Sequence, residues 1–234
     1  MLIFLLKRII QSFIVLLVMS LVVFAAVYAI GNPIDVLINP NASEAQKLKT
    51  IKNLGLDKSL FEQYFIFIKN ASNGEFGHSF VHNRPAITLI LERLPATLEL
   101  TFFAMLIAIL LGIPLGLLAG LYPNNFLGKS ILSSSILFFS LPTFWVGLML
   151  ILIFAVSFNI FPSTGRGETI DILGFDFSFL TIDGLHHIFL PALNLSLYPL
   201  ALIIRLTYAG VQETLPLDFI KFARAKGISN TRII

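Results

Sequence analysis

Four stretches of this chain are long and apolar enough to cross a lipid bilayer, and that constraint outranks every other in the sequence. They run over about Ile9–Ile30, Ala96–Leu121, Ile131–Phe158 and Ile188–Gly210. A hydrocarbon core of about 30 Å takes roughly 20 helical residues to span, and backbone groups inside it must be satisfied internally, so each run is predicted to be a helix. Of the 234 residues 56% are hydrophobic, 23 are Phe and only 12% carry charge, with mean hydropathy +0.88. That composition excludes an ordinary soluble domain. The first run follows Lys7-Arg8 as a secretory leader would. It exceeds the roughly 7–15 apolar residues of a leader core, so an uncleaved anchor helix is expected.

Orientation follows from counting Lys and Arg beside the spans. Lys7 and Arg8 precede the first, Lys129 lies between the second and third, and Lys221, Arg224, Lys226 and Arg232 follow the fourth. All sit on one side if the N-terminus is cytoplasmic. Arg166 is the one basic residue of the third-to-fourth loop, beside Glu168, Asp171, Asp176 and Asp183. The organisation expected is an N-terminal span over 1–30, an external segment over 31–95 and a membrane bundle over 96–234. The net charge of +3 is spread beside the spans rather than gathered on a face, which excludes nucleic acid as a partner. Without Cys, neither disulfides nor thiolate chemistry is available.

The external segment carries structure of its own. Ser43 with Gln46 and Ser59 with Glu62 have capping-box spacing, predicting two short helices. The second bears Tyr64, Phe65, Phe67 and Ile68, suited to the membrane surface or to the helix ends. Asn73-Gly74 marks a turn. Pro85 is expected to open a short helix through Arg93, with Pro95 restarting the chain into the second span.

Inside the spans, Gly112, Gly116 and Gly120 recur every fourth residue and line one helix face, the spacing that lets two helices approach closely in lipid. Ser140-Leu-Pro-Thr-Phe-Trp145 puts a helix-weakening Pro142 beside two aromatics. It reads as a packing kink or, because irregular backbone at membrane depth lines cavities, as pathway lining by Ser140, Pro142, Phe144 and Trp145. Glu99 and Arg205 each lie about one turn inside a span end, where both reach the interface, or else pair with helices or substrate. His78/His82 and His186/His187 are two candidate imidazole pairs for a metal such as nickel, each lacking a third ligand.

Enzyme signatures are missing. Leu127-Gly-Lys-Ser130 ends like a phosphate-binding loop, but Pro123 stands where its leading Gly belongs, so ATP binding by this chain is not expected. No G-x-S-x-G or H-E-x-x-H is present.

After the fourth span comes a polar, basic, helix-forming segment, whose core is Asp218-Phe-Ile-Lys-Phe-Ala-Arg-Ala-Lys-Gly227. It resembles the cytoplasmic coupling loop of the dipeptide/oligopeptide branch of binding-protein-dependent ABC importer permeases. The similarity continues in order along the chain through Lys7-Arg8-Ile-Ile, Gly31-Asn-Pro33, Leu54-Gly-Leu-Asp57, Arg93-Leu-Pro-Ala-Thr-Leu-Glu-Leu100, Gly112-Ile-Pro-Leu-Gly116, Pro162-Ser-Thr-Gly-Arg166 and Leu190-Pro-Ala192. Asn32 stands where the family usually has Asp.

The resemblance implies an all-α polytopic membrane bundle with about four spans present of an expected six. Two further helices beyond residue 234 would be lacking, through a fragment, a split gene or a truncated one. It further implies a homologous second permease, two cytoplasmic ATPases that hydrolyse the ATP, an external solute-binding protein and an inner-membrane location. Glu213, Asp218, Ala223, Arg224, Ala225, Lys226 and Gly227 would then couple the bundle to an ATPase, with Gly227 as the turn after the helix. Arg224 and Lys226 also suit anionic headgroups or a solvated basic face. Dipeptide permeases are the nearest branch. A nickel or glutathione permease, a non-transporting relic of the fold and a membrane-embedded enzyme stay open.

Overall fold

The computed structural model describes residues 1–30, 51, 57–79, 82 and 84–233. The helix expected around Ser43 and Gln46 lies outside them. The chain divides into two compact units, Met1–Leu91 and Glu92–Ile234.

In the first unit, helix α1 (Leu2–Ile30) is the N-terminal apolar run and α2 (Leu60–Ser72) is the short helix announced by Ser59 and Glu62. The capping box forms: the Glu62 N–H donates to Ser59 Oγ at 3.4 Å, and the Ser59 N–H donates to Glu62 Oε2 at 3.0 Å. The Ser59 backbone N–H, then its hydroxyl, holds the Glu62 carboxyl below its ordinary value of 4.5. Tyr64 and Phe67 dock on the side of α1. The Tyr64 hydroxyl lies 2.8 Å from Ser20 Oγ and donates to Leu17 O at 3.2 Å, and its ring meets Phe24 edge-on at 5.5 Å. Phe65, on the opposite face, is exposed. This choice is the amphipathic one: a phenol buries its ring while its hydroxyl finds a partner.

Helix α3 (Ala86–Leu121) is continuous. Pro95 does not restart the chain as expected; it sits inside the helix. A proline there deprives only the carbonyl four residues earlier of its partner, and carrying on keeps every later hydrogen bond. The second unit continues with α4 (Phe126–Ser140), α5 (Thr143–Leu150), a π-helical segment (Ile151–Ser157), strands β1 (Ile170–Ile172) and β2 (Phe175–Phe177), and helices α6 (Ile182–Thr214), α7 (Asp218–Ala225) and α8 (Asn230–Ile233).

Helices α3 and α6 form the seam of this unit. A methyl added at Gly112 would lie 2.7 Å from Ile203 Cγ2, one at Gly116 would lie 2.6 Å from Thr207 Cβ and 2.8 Å from Ile204 O, and one at Gly120 would lie 2.6 Å from Val211 Cβ. Two rows of i, i+4 residues therefore mesh with no room for another carbon, which is the packing role read from the glycine spacing. Gln212 Nε2 donates to Gly120 O at 2.6 Å and closes the far end. Ala108, Leu200 and Ile204 are the buried centre, flanked by Leu115, Ile131 and Leu132.

The contacts of this seam ascend together in both helices, so α3 and α6 run parallel. The chain must return across the bundle between them. Helices α4 and α5 do this as one broken span, bent by 104°. Leu2–Val27, Ala86–Leu121 and Ile182–Thr214 are each long and apolar enough to cross a membrane, and with the bent pair counted as one span the described residues hold four. The third was expected as a single kinked helix. Instead Leu141 (ψ 135°) and Pro142 (ψ 127°) are both extended, and Pro142 becomes the residue before a new helix. The residue preceding a proline is driven out of the helical region, and here that preference prevails.

Strands β1 and β2 pair antiparallel, Ile170 with Phe177 and Ile172 with Phe175, in a loop from which no strand was expected. Leu173 (φ 57°) and Gly174 (φ 83°) make the two-residue turn with both φ positive that suits strand twist. The all-α bundle stands, with this hairpin added to it.

Candidate functional site

Three places in the second unit carry chemistry. The first is the segment after α6. Asp218 opens α7 and pairs with Lys221 Nζ at 2.9 Å on the exposed face. Ile220 is buried, Ala223 half-buried, and Glu213, Arg224, Ala225 and Lys226 are exposed. Phe219 and Phe222, 60% and 62% exposed, stand one turn apart on the same helix; Lys226 Nζ lies 4.5 Å above the Phe222 ring. Helix α7 ends in a Schellman motif: the Gly227 N–H donates to Arg224 O at 2.9 Å and the Ile228 N–H to Ala223 O at 3.2 Å. Gly227 has φ +77° and open space around its α-carbon. Conformation, not room, is what requires glycine there.

The second is a buried charge. Glu99 is only 6% exposed and does not reach the interface as one reading of it had expected. Its Oε1 accepts from Arg166 Nη2 at 3.1 Å, and both carboxylate oxygens accept from the Ser178 N–H at 3.2 Å. Arg166 Nη2 also donates to Asp176 O. One carboxylate thus ties α3 to the loop and the hairpin that precede α6. A charge this deep persists because its desolvation is offset by a partner charge and directed N–H groups. Arg205 is exposed, with its guanidinium 6.0 Å from the Phe139 ring.

The third is a cavity of about 290 Å³ between α5 with the start of the π-helical segment, the loop Pro162–Gly165, and the first turns of α6. None of Ser140, Pro142, Phe144 and Trp145 is among the residues lining it. Phe144 is 72% exposed, and the Ser140 hydroxyl donates back to Ile136 O at 2.8 Å. The lining begins two residues beyond Trp145, at Gly147, and includes His187 and Asn194. His187 Nδ1 donates to Asp183 O at 2.8 Å. The loop wraps the ring closely: a methyl on Gly167 would lie 2.6 Å from Nδ1. The Glu168 N–H donates to Asp183 Oδ2 at 2.8 Å. Among the described residues no three of His, Asp and Glu gather as a metal site.

Sequence reading missed the burial of Glu99 and the place of Asn194. For both, the signal was a carboxylate or amide side chain within a run otherwise of apolar and hydroxyl residues.

Comparison with known proteins bears directly on this arrangement. Residues 112–234 match the family described as binding-protein-dependent transport system inner membrane component, and residues 1–101 match the N-terminal component of the same systems. The chain belongs to this permease family. It is 33% identical over 229 residues to the di/tripeptide transport system permease protein DppB of Pseudomonas aeruginosa, covering 92% of this chain and 68% of that one. It is 31% identical over 233 residues to the oligopeptide transport system permease protein AppB of Bacillus subtilis, covering 99% and 72%. The glutathione transport system permease protein GsiC of Escherichia coli is 30% identical over 233 residues, covering 99% and 71%. The glycine seam, the broken span and helix α7 all fall within residues 112–234, and α1 and α2 within the N-terminal match. As a binding-protein-dependent permease, the chain is an inner-membrane component of a transport system that works with a solute-binding protein and an ATPase.

Proposed function

We propose that this chain is one permease subunit of an ATP-driven importer that carries dipeptides or short oligopeptides into the cell. It has no enzymatic step of its own and binds no ATP. It pairs with a homologous second permease, receives substrate from an external solute-binding protein, and is driven by two cytoplasmic ATPase subunits. The N-terminus is cytoplasmic. Lys7, Arg8, Lys129 and the basic residues of α7 then share the cytoplasmic side, and the hairpin with its acidic loop faces outward. The names of relatives that carry di- and tripeptides, oligopeptides and glutathione, itself a tripeptide, favour a peptide over nickel.

The observation that carries the coupling role is the build of α7. This short helix hangs from the end of α6 with Ile220 turned inward, while Phe219, Phe222, Arg224 and Lys226 are left exposed. Two rings flanked by cations form a compact handle for a partner groove. Glu213, Asp218, Ala223 and Ala225 frame it, and Gly227 fixes its exit.

In the complete importer, Gly227→Val should reduce substrate-stimulated ATP hydrolysis about tenfold or more with normal membrane insertion, because a β-branched residue resists positive φ. Gly227→Asn, tolerant of that φ, should retain most of the activity. Full stimulation in the valine variant would remove Gly227 from coupling. Failure of dipeptide-loaded binding protein to stimulate the unmodified importer would remove the peptide assignment.

A further inference from the structure

The cavity beside α6 has a chemical polarity that the transport reading leaves unused. Asn194 Oδ1 is buried and has no hydrogen-bond partner among the described residues. A buried carbonyl oxygen without a donor is destabilising, so such an atom calls for a ligand or a bound water. His187 adds a second acceptor. Its Nδ1 faces the Asp183 backbone carbonyl at 2.8 Å and the Asp183 carboxylate at 3.6 Å, both of which only accept, so whenever the ring carries one proton it sits on Nδ1 and Nε2 presents a lone pair. That Nε2 edge borders Gly165, which also lines the cavity. Between the two acceptors lie the apolar surfaces of Leu150, Ile151, Leu190 and Pro191. Among the described residues no carboxylate, lysine or arginine lines the cavity.

We propose that this cavity is a recognition site for the N-terminal end of a short peptide: Asn194 Oδ1 accepts the first peptide-bond N–H, His187 Nε2 accepts from the terminal ammonium, and the apolar walls take the first side chain. This rests on the peptide-importer reading. The spacing fits. Residues seven apart share a helix face and are separated by about 10 Å along its axis. Two successive backbone nitrogens about 3.6 Å apart, each reached by a hydrogen bond of about 2.9 Å, bridge about 9 Å. The volume, about 290 Å³, is at the small end for ligand pockets, which suits one or two residues rather than a long peptide. Gly147 keeps the floor open: a methyl there would stand 3.1 Å from Asn194 Nδ2.

The test is uptake by the complete importer, reconstituted in vesicles with its binding protein, of dialanine and of dialanine methylated at its peptide nitrogen. The same binding protein serves every arm, so its own preference cancels when variants are compared. The unmodified importer should favour dialanine. Asn194→Leu should raise the half-saturating dialanine concentration about fivefold or more and shrink the preference by the same factor. Asn194→Asp, which keeps an acceptor, should preserve the preference. Gly147→Ala, which crowds the amide without removing it, should weaken it in the same direction, and serves as the reading if the leucine variant does not assemble. Preference unchanged in an assembled leucine or alanine variant, or absent in the unmodified importer, overturns the site while leaving peptide transport standing. No dialanine uptake by the unmodified importer overturns both.

Discussion

Helix α6 contains Pro191 and Pro199 and remains one helix, whereas the span that meets Pro142 is bent by 104° into α4 and α5. The same residue type in the same solvent has opposite outcomes. What differs is the surroundings. Leu190 and Ala192, on either side of Pro191, are 4% and 1% exposed, held within the second unit. Pro142, Thr143 and Phe144 are exposed, so little packing opposes an extended turn there. Proline at membrane depth offers a break, and neighbouring side chains decide whether it is taken.

The largest expected effect comes from opening the seam that holds α6 straight. Gly116→Leu drives a side chain into Thr207 and the Ile204 carbonyl, at a cost of about 3 kcal/mol or more. It should abolish the cooperative thermal transition of the detergent-solubilised protein; an unchanged transition would mean that α6 does not depend on this contact. Next comes Glu99→Gln, which removes the carboxylate but keeps an acceptor. Arg166 is partly solvated, so the loss should be about 1–2 kcal/mol. Faster hydrogen exchange at the Ser178 amide would report it, and unchanged exchange would show that the hairpin is held by other contacts. Smallest in energy is Pro142→Ala, which returns an N–H and frees Leu141 to be helical. Spin labels at Ser133 and Leu152 should move apart as the bend relaxes. An unchanged distance would place the cause of the bend in neighbouring elements rather than in the proline.

These contrasts also explain what the sequence could disclose. Run length revealed the four spans because the bilayer imposes it on each segment separately. The capping box at Ser59 and Glu62, the glycine repeat of α3 and the turn glycine after α7 were legible for the same reason: each is a local rule. The fate of each proline was not, since Pro95 was expected to start a helix and is inside one, and Pro142 was expected to kink a helix and separates two. The tie between Glu99 and Arg166 joins residues 67 apart, and no local pattern announces it. The hairpin did leave a trace, the alternation in Ile170-Asp-Ile172 and Phe175-Asp-Phe177 around Leu-Gly. Of the cavity, only the neighbourhood was legible. Ser140 to Trp145 precede the lining without joining it, and Gly147 and Asn194 come from segments that only folding brings together.

The π-helical segment Ile151–Ser157 has a consequence for how this protein tolerates change in length. A π turn carries one residue more between bonded groups than an α turn. Deleting a single residue within it lets the segment relax to α geometry with both flanks kept in register, so the loop that wraps His187 would still arrive facing α6. The same deletion in α6 has no such reserve. Each residue of an α-helix turns by about 100°, so everything after the deletion would rotate by that angle and carry Ile203, Thr207 and Val211 away from the three glycines. Within one bundle, one span has slack in its sequence length and another has none.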